Sequence, residues 1–339
     1  MDIVVTPLDP ADATAAEQAF TILTACQPVD QPDFPPPCRK HFFGGLHHPW
    51  PGEEAYRAVA YLAGEPAGYL ELRLPYLDNV ENAIMDLSVH PEQRRRGVGR
   101  ALHEHAVRLL REQGRKRITG MSSFPLPGAP ATPEPGTAFA HAVGATCALV
   151  EVRRRLDVDR VDEAVLDRLL AAAWEHAAGY TLVCWQGPVP EEYAADVAYL
   201  EGRLLADAPI GDLDWEPEKI DTERMRKGEA ARAARGRTAV QAGIRHDASG
   251  RLVAYTELDI DGSNPWHAFQ QITLVDPDHR GHRLGTIIKI ENLRAARKHE
   301  PALRAIDTWN AAVNAHMIAI NEAMGFRPVD QWHNWQLAI

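Results

Sequence analysis

Apolar runs of strand length alternate along this chain with longer stretches in which apolar residues recur every third or fourth position. Strands are expected at 3–6, 57–62, 67–74, 83–89, 117–121 and 145–156, then at 181–185, 238–245, 252–260, 269–275, 304–309 and 332–339. Helical spacing opens after Asp9 and Pro10 through Ala16, Phe20, Ile22 and Leu23. It returns from Val98 through Ala101, Leu102, Ala106, Leu109 and Leu110, until Gly114 stops it. Val161, Val165, Leu169, Leu170 and Trp174 carry a further helix over 159–178, ended by Gly179, and others are expected at 190–206, 218–234, 284–298 and 314–324. Pro32, Pro35, Pro36 and Pro37 require a loop over 31–39, and Gly64 and Gly250 mark hairpin turns. Strands and helices mixed in this order imply an α+β layer fold around a mainly antiparallel sheet.

The pattern runs through twice. Pro91 and Pro277 lie 186 residues apart (277 − 91), and the same offset relates Arg94 to Arg280, Gly99 to Gly285 and the stretch 68–72 to 254–258. Gly144 and Gly325 are 181 apart (325 − 144), a drift that the proline-rich stretch 124–135 of the first copy accounts for. Repeats of this length predict two homologous domains, 1–157 and 180–339, with a linking helix across 158–179. The apolar stripe of that helix needs a buried partner and is expected to bind the two domains into one unit.

In each copy a polar, glycine-bearing loop separates an apolar strand from a helix. The first reads Val89–His90–Pro91–Glu92–Gln93–Arg94–Arg95–Arg96–Gly97–Val98–Gly99–Arg100, and the second runs from Val275 and Pro277 through Arg280, Gly281, His282, Arg283 and Leu284 to Gly285. Glycines let the backbone approach a ligand closely, helix N-terminal amides attract anions, and a turn of successive amides forms a nest for phosphate. Arg94, Arg95, Arg96 and Arg100 add positive charge where a pyrophosphate would lie. No Lys-Ser or Lys-Thr follows Gly99, which excludes a P-loop, and Leu102 stands where a Rossmann fingerprint needs its third glycine. The remaining alternative is a basic surface loop that only caps a helix.

The chain of 339 residues is 45% hydrophobic and 24% charged, as expected of a globular protein large enough for two cores. No apolar run is long enough to span a membrane, and the N-terminus lacks the basic and apolar regions of a signal peptide. Cys26, Cys38, Cys147 and Cys184 are scattered, without metal spacing, and read as reduced cysteines of a cytoplasmic protein. A net charge of −11 argues against a nucleic-acid partner and suits a cationic substrate. The 15 histidines form no recognisable ligand set, so no metal is expected.

Arg94-x-x-Gly97-x-Gly99 after Val89-x-Pro91 resembles the acyl-CoA loop of the GCN5-related N-acetyltransferase (GNAT) superfamily. The resemblance covers nearly the whole chain as two tandem GNAT-like domains, each a mainly antiparallel mixed sheet flanked by helices, similar in outline to mycothiol synthase-like actinobacterial acetyltransferases. It implies acetyl-CoA as acyl donor, held in the first copy by Leu87, Ser88 and Val89 along the pantetheine and by Arg94 to Arg100 at the pyrophosphate. In the second copy the same roles fall to Leu274, Val275, Arg280, Gly281, His282, Arg283, Leu284 and Gly285. Asn314, Gly325 and Phe326 match a further family segment, whose asparagine position in the first copy is Pro133. Arg283 replaces the loop's first glycine and fits if its backbone keeps a negative φ. The family's usual general acid corresponds to Ala140 and Asn321, and its usual carboxylate to Ala83 and Phe269, so both positions are vacant in both copies.

Glu71 and Glu257 are matched carboxylates on apolar strands beside the expected acyl site. A buried carboxylate there would have a raised pKa and accept a proton from an ammonium, whereas one that alternates out to solvent would be structural. His267 and Asp86 are further candidates. Asp214, Trp215 and Glu216, with Asp212 and Glu218, would suit a cationic amine through ion pairing and cation–π contact, or form a solvated turn. Two function classes follow: an acetyl-CoA-dependent N-acetyltransferase acting on a small primary amine (an amino sugar, an antibiotic or a modified peptide), and a non-catalytic acyl-CoA-binding protein. The second domain is the expected acceptor site, because it keeps the 314–326 segment and the acidic loop, and because the similar mycothiol synthases use theirs.

Overall fold

A computed structural model describes residues 2–129 and 134–339; Pro133 and the middle of the proline-rich stretch lie outside the described residues. The first half runs β1 (Ile3–Pro7), α1 (Ala13–Asp30), α2 (Arg39–His47), β2 (Glu53–Leu62), β3 (Glu65–Pro75), β4 (Asn82–Val89), α3 (Val98–Glu112), β5 (Arg117–Phe124), α4 (Pro135–Ala142) and β6 (Thr146–Asp157). After α5 (Glu163–Trp174) the order repeats as β7 (Tyr180–Gln186), α6 (Ala194–Gly202), α7 (Leu204–Asp207), α8 (Thr222–Ala234), β8 (Arg237–His246), β9 (Leu252–Asp261), β10 (His267–Val275), α9 (Leu284–His299), β11 (Ala305–Ala311), α10 (Ala315–Ala323) and β12 (Arg327–Ala338). Asp12 and Asp162 cap α1 and α5 by accepting two backbone N–H groups each, so α5 starts later than the apolar spacing over 159–178 suggests. Helix α2 is not legible in the sequence: two adjacent glycines weaken it, and it forms where Gly44 lets the α8 carbonyl of Ala234 come within 2.9 Å of the place a Cβ would take.

The twelve strands of the described residues join one sheet in the order β1-β2-β3-β4-β5-β12-β6-β11-β10-β9-β8-β7. The order is a palindrome of the two repeats with their last strands exchanged. β12 pairs with β5, from Gln331 opposite Phe124 to Ala338 opposite Arg117, while β6 pairs with β11, from Ala305 opposite Asp157 to Ala311 opposite Glu151. The strand at 145–156 therefore closes the second repeat's sheet, and the one at 332–339 closes the first's. Among the described residues only β4–β5 and β10–β11 are parallel.

This exchange welds the halves. Helix α5 adds Leu166, Leu169 and Leu170 to a core that holds Leu156 of β6 together with Leu258, Ile260, Ile290 and Leu293 of the second repeat. At the seam Arg153, 1% exposed, meets Asp307, Asp330 and Asp33, and Arg155 and His267 also reach Asp307. Burial opposes ionisation of Asp307, yet its bonds to Arg155 and His267 hold the carboxyl well below the usual carboxylate range. Phe34, from the first half's proline-rich loop, sits among Arg153, His267, Phe269, Trp309 and Trp332. Among the described residues no helix is long and apolar enough to cross a membrane.

Candidate active site

The two cradle loops share one backbone. In the first, a 3₁₀ turn at Pro91–Gln93 leads to Arg95 (φ 62°) and Gly97 (φ 93°), ahead of α3. In the second, Pro277–His279 leads to Gly281 (φ 87°) and Arg283 (φ 54°), ahead of α9. Each loop needs left-handed backbone at two positions and fills them with one glycine and one arginine, in opposite order. The expected negative φ at Arg283 is thus corrected: the arginine adopts the glycine's conformation at a cost of roughly 1 kcal/mol. Left-handed residues beside a helix N-terminus aim amides toward one point, the geometry of an anion nest. A Cβ at Gly99 would lie 3.4 Å from the Phe139 ring and 3.5 Å from Val89, and one at Gly285 3.5 Å from Ile320, so any longer side chain would fill either cleft.

One arginine in each loop is a pin. Arg94 donates from Nε to the Val89 carbonyl (3.1 Å) and clasps Asp30 at 2.8 and 2.6 Å. Arg280 repeats this with the Val275 carbonyl (3.3 Å) and Asp207 (3.3 Å). Cationic side chains for a pyrophosphate are then Arg95 and Arg100 in the first loop, where Arg96 donates to Gln93 Oε1 (2.5 Å), and Arg283 in the second, where His282 and His279 gather around Tyr180.

Beside each cradle the parallel strands part. β4 and β5 pair only from Asn82 opposite Arg117 to Ile84 opposite Thr119, and β10 and β11 only from His267 opposite Ala305 to Phe269 opposite Asp307. Beyond these points Leu87–Ser88–Val89 and Leu274–Val275 have no partner strand on that side, and with the Val89 and Val275 carbonyls taken by Arg94 and Arg280, the Val89 and Val275 N–H groups face the gap. β10 also carries a bulge between Gln270 and Thr273 that β4 lacks. Side chains scaffold it: the Gln270 amide donates to the Glu257 carbonyl (2.6 Å) and to Thr256 (3.0 Å), and buried Lys289 donates to Gln270 Oε1 (2.9 Å). Burial brings Lys289 down to about 7.

A cavity of about 570 Å³ opens at this bulge. Its walls include Gln271, Ile272 and Trp309, then Tyr255, Glu257 and Arg232, Glu201 of α6, and Trp215 and Glu218; the first half contributes Trp50 and Glu53. Glu257 is 2% exposed, paired with Arg232 (2.8 Å) and accepting from Tyr255 (2.7 Å). Burial pushes its pKa up, against the pull of Arg232. Glu201 has no hydrogen-bond or ion-pair partner among the described residues, and burial together with the neighbouring Glu257 charge raises it to about 8. A carboxyl that titrates there is suited to take a proton near neutral pH.

Comparison with known proteins agrees with this geometry. Residues 17–123 match the family model described as acetyltransferase (GNAT) family. The whole chain matches the solved structure of a tandem GNAT protein from the clavulanic acid biosynthesis pathway, at 35% identity and TM-score 0.84, covering 99% of this chain and 98% of that one. The chain belongs to the GNAT acetyltransferase family. A GCN5-related N-acetyltransferase from Sphaerobacter thermophilus (16% identity, TM-score 0.65, 99% and 95% covered) and a putative acetyltransferase from Pyrococcus horikoshii (14%, TM-score 0.55, 99% and 89%) share the fold. No curated protein sequence matches the chain.

Within this GNAT chain the residues expected from sequence scatter. Glu71 lies outside the cavity's walls, bound by Arg57 (2.7 Å) from the neighbouring strand. Trp215 faces the cavity, whereas exposed Asp214 binds Arg117 (2.5 Å) and the Glu216 backbone binds Asn79, anchoring the loop to the first half. Asn314 caps α10 through the Met317 N–H (3.3 Å). His267 belongs to the seam, and exposed Asp86 stands 3.8 Å from Arg73. Sequence reasoning misses Glu201 and Glu53. Glu201 carries a signal, because it stands four residues after Val197 on the buried face of α6. Glu53 carries none, since it reaches the cavity from the other half.

Proposed function

We propose that the second half of this acetyltransferase transfers an acetyl group from acetyl-CoA to a primary amine of a small molecule. The observation that carries the reading is the cavity at the β10 bulge, which sets an unpaired carboxyl, Glu201, beside the gap between β10 and β11. The cradle fits a CoA pyrophosphate, with its left-handed turn, its helix N-terminus and the glycine at 285 that a larger side chain would fill. The Val275 amide and the cradle from Gly281 to Gly285 would hold the donor, with the first half's cradle as a second such site. The bound donor supplies an activated acyl carbon: the amine nitrogen bonds to it as its bond to sulfur breaks, giving an amide and a thiol. Glu201 accepts one proton of the incoming ammonium, a second proton ends on sulfur, and one stays on the amide nitrogen. Glu257 keeps Glu201 basic through its charge, and Trp215 and Trp309 wall the acceptor. Positioning of this kind contributes much of the rate even where no acid assists the leaving thiolate.

The test is thiol release from acetyl-CoA across a panel of small primary amines. Release with amines and none with the matching alcohols is expected. Calorimetric binding of CoA without release on any amine would overturn the proposal and leave a non-catalytic acyl-CoA-binding protein.

A further inference from the structure

Two of the cavity's carboxyls have no hydrogen-bond or ion-pair partner among the described residues. Five carboxylates line it, Glu53, Glu201, Glu218, Glu229 and Glu257. Arg232 answers Glu257 at 2.8 Å, Arg224 answers Glu218 at 3.1 Å, and Arg226 answers Glu229 at 2.9 Å. Glu201 and Glu53 are left over. Glu53 comes from the first strand after α2, and its Oε2 is buried with no hydrogen-bond partner among the described residues. Of the three arginines near it, Arg73 stands 3.8 Å from Asp86, Arg224 is held by Asp78, and Arg235 by the His48 carbonyl and the face of Trp50 (4.4 Å), and none hydrogen-bonds Glu53. The two leftover carboxyls sit in different places. Glu201 feels Glu257 and Arg232 beside the bulge, whereas Glu53 feels Arg73, Arg224 and Arg235 on the first half's side. Glu218 is near both. A buried carboxyl without a partner is costly when charged, and a cation bound beside it removes that cost.

We propose that the acceptor is a dibasic amine: its reacting nitrogen lies at Glu201, and its second cationic group is held at Glu53, so the first half completes the acceptor site of the second. This rests on reading the cavity as the acceptor site. A monoamine satisfies one of the two half-buried carboxyls and leaves the other unanswered.

The experiment compares α,ω-diaminoalkanes with n-alkylamines of the same carbon chain, over a series of lengths, by thiol release from acetyl-CoA with the full chain. A charge-assisted contact at Glu53 is expected to favour the diamine in kcat/KM by roughly tenfold or more. In Glu53→Gln that ratio falls to near one, mainly through a higher KM for the diamine, and Glu53→Asp restores part of it; thermal melting verifies that each variant is folded. Equal use of both amine classes by the unmodified protein, or an unchanged ratio in folded Glu53→Gln, overturns the inference and leaves the acetyltransferase reading intact. If neither class releases thiol but diamines bind calorimetrically in a Glu53-dependent way, the acceptor reading falls and the dication site stands. Neither release nor binding overturns both.

Discussion

Glu71 and Glu257 occupy the same place in the two halves, each two residues after a buried tyrosine, yet their surroundings diverge. Directly across the sheet from Glu71 stands Arg57; directly across from Glu257 stands Gln241. Glu257 takes its arginine from helix α8 instead, and a cavity lies between that helix, α6 and the sheet. In the first half the carboxylate is answered on the spot, so it is a piece of structure. In the second the counter-charge is displaced, a further carboxyl is left unanswered, and room remains for a ligand. The cradles differ in the same spirit: one backbone, with Arg95, Arg96 and Arg100 around the first and Arg283 with histidines around the second. The difference teaches that a duplicated fold keeps its backbone solution while its charge balance is free to specialise.

The largest expected effect comes from the carboxyls. Glu201→Gln should lower turnover on a true amine by about 10²–10⁴-fold, the usual range for a lost general base. Glu71→Gln should leave turnover in place and lower stability by roughly 1–3 kcal/mol, since it strands buried Arg57. Turnover that collapses in Glu71→Gln and survives in Glu201→Gln would reverse the assignment of the halves. Glu201 must be ionised to accept a proton, and burial raises it to about 8, so kcat/KM should climb with pH through that value. The inflection should disappear in Glu201→Gln; a profile flat from acid to alkaline pH in the unmodified protein would count against this base.

The next effect concerns the cradles. Gly285→Glu should remove one equivalent of bound CoA in calorimetry together with turnover, whereas Gly99→Glu should remove one equivalent with turnover retained. Identical behaviour of the two variants would erase the functional contrast. The smallest effect is at the left-handed arginine. Arg283→Gly relieves about 1 kcal/mol of backbone strain, partly cancelled by the greater freedom of the unfolded chain. It should raise the melting temperature slightly while weakening CoA binding at the second cradle, because a cation is lost. A drop in melting temperature would mean that the arginine holds the loop.

Much of the architecture is legible in the residues alone. The tandem repeat, both cradles, every strand and most helices follow from apolar spacing and from glycine and proline placement, although edges move where caps such as Asp162 intervene. The exchange of β6 and β12 is not legible. A strand's backbone donors and acceptors are the same for any neighbour, so they do not choose between the two sheets. Arg94 and Arg280 read as phosphate ligands from their place in the loop, and only the fold brings Asp30 and Asp207 to them.

The sequence by itself determined the family, the two anion cradles and the α+β repeat, because backbone turns and helix starts depend on residues a few positions apart. Tertiary structure alone decided which carboxyls are answered. Charge acts through space: Arg57 reaches Glu71 across a hairpin, Arg232 reaches Glu257 from a separate helix, and Glu53 enters the second half's cavity from the first. What each carboxyl can do depends on where those distant groups come to rest and on how much water the packing leaves around it.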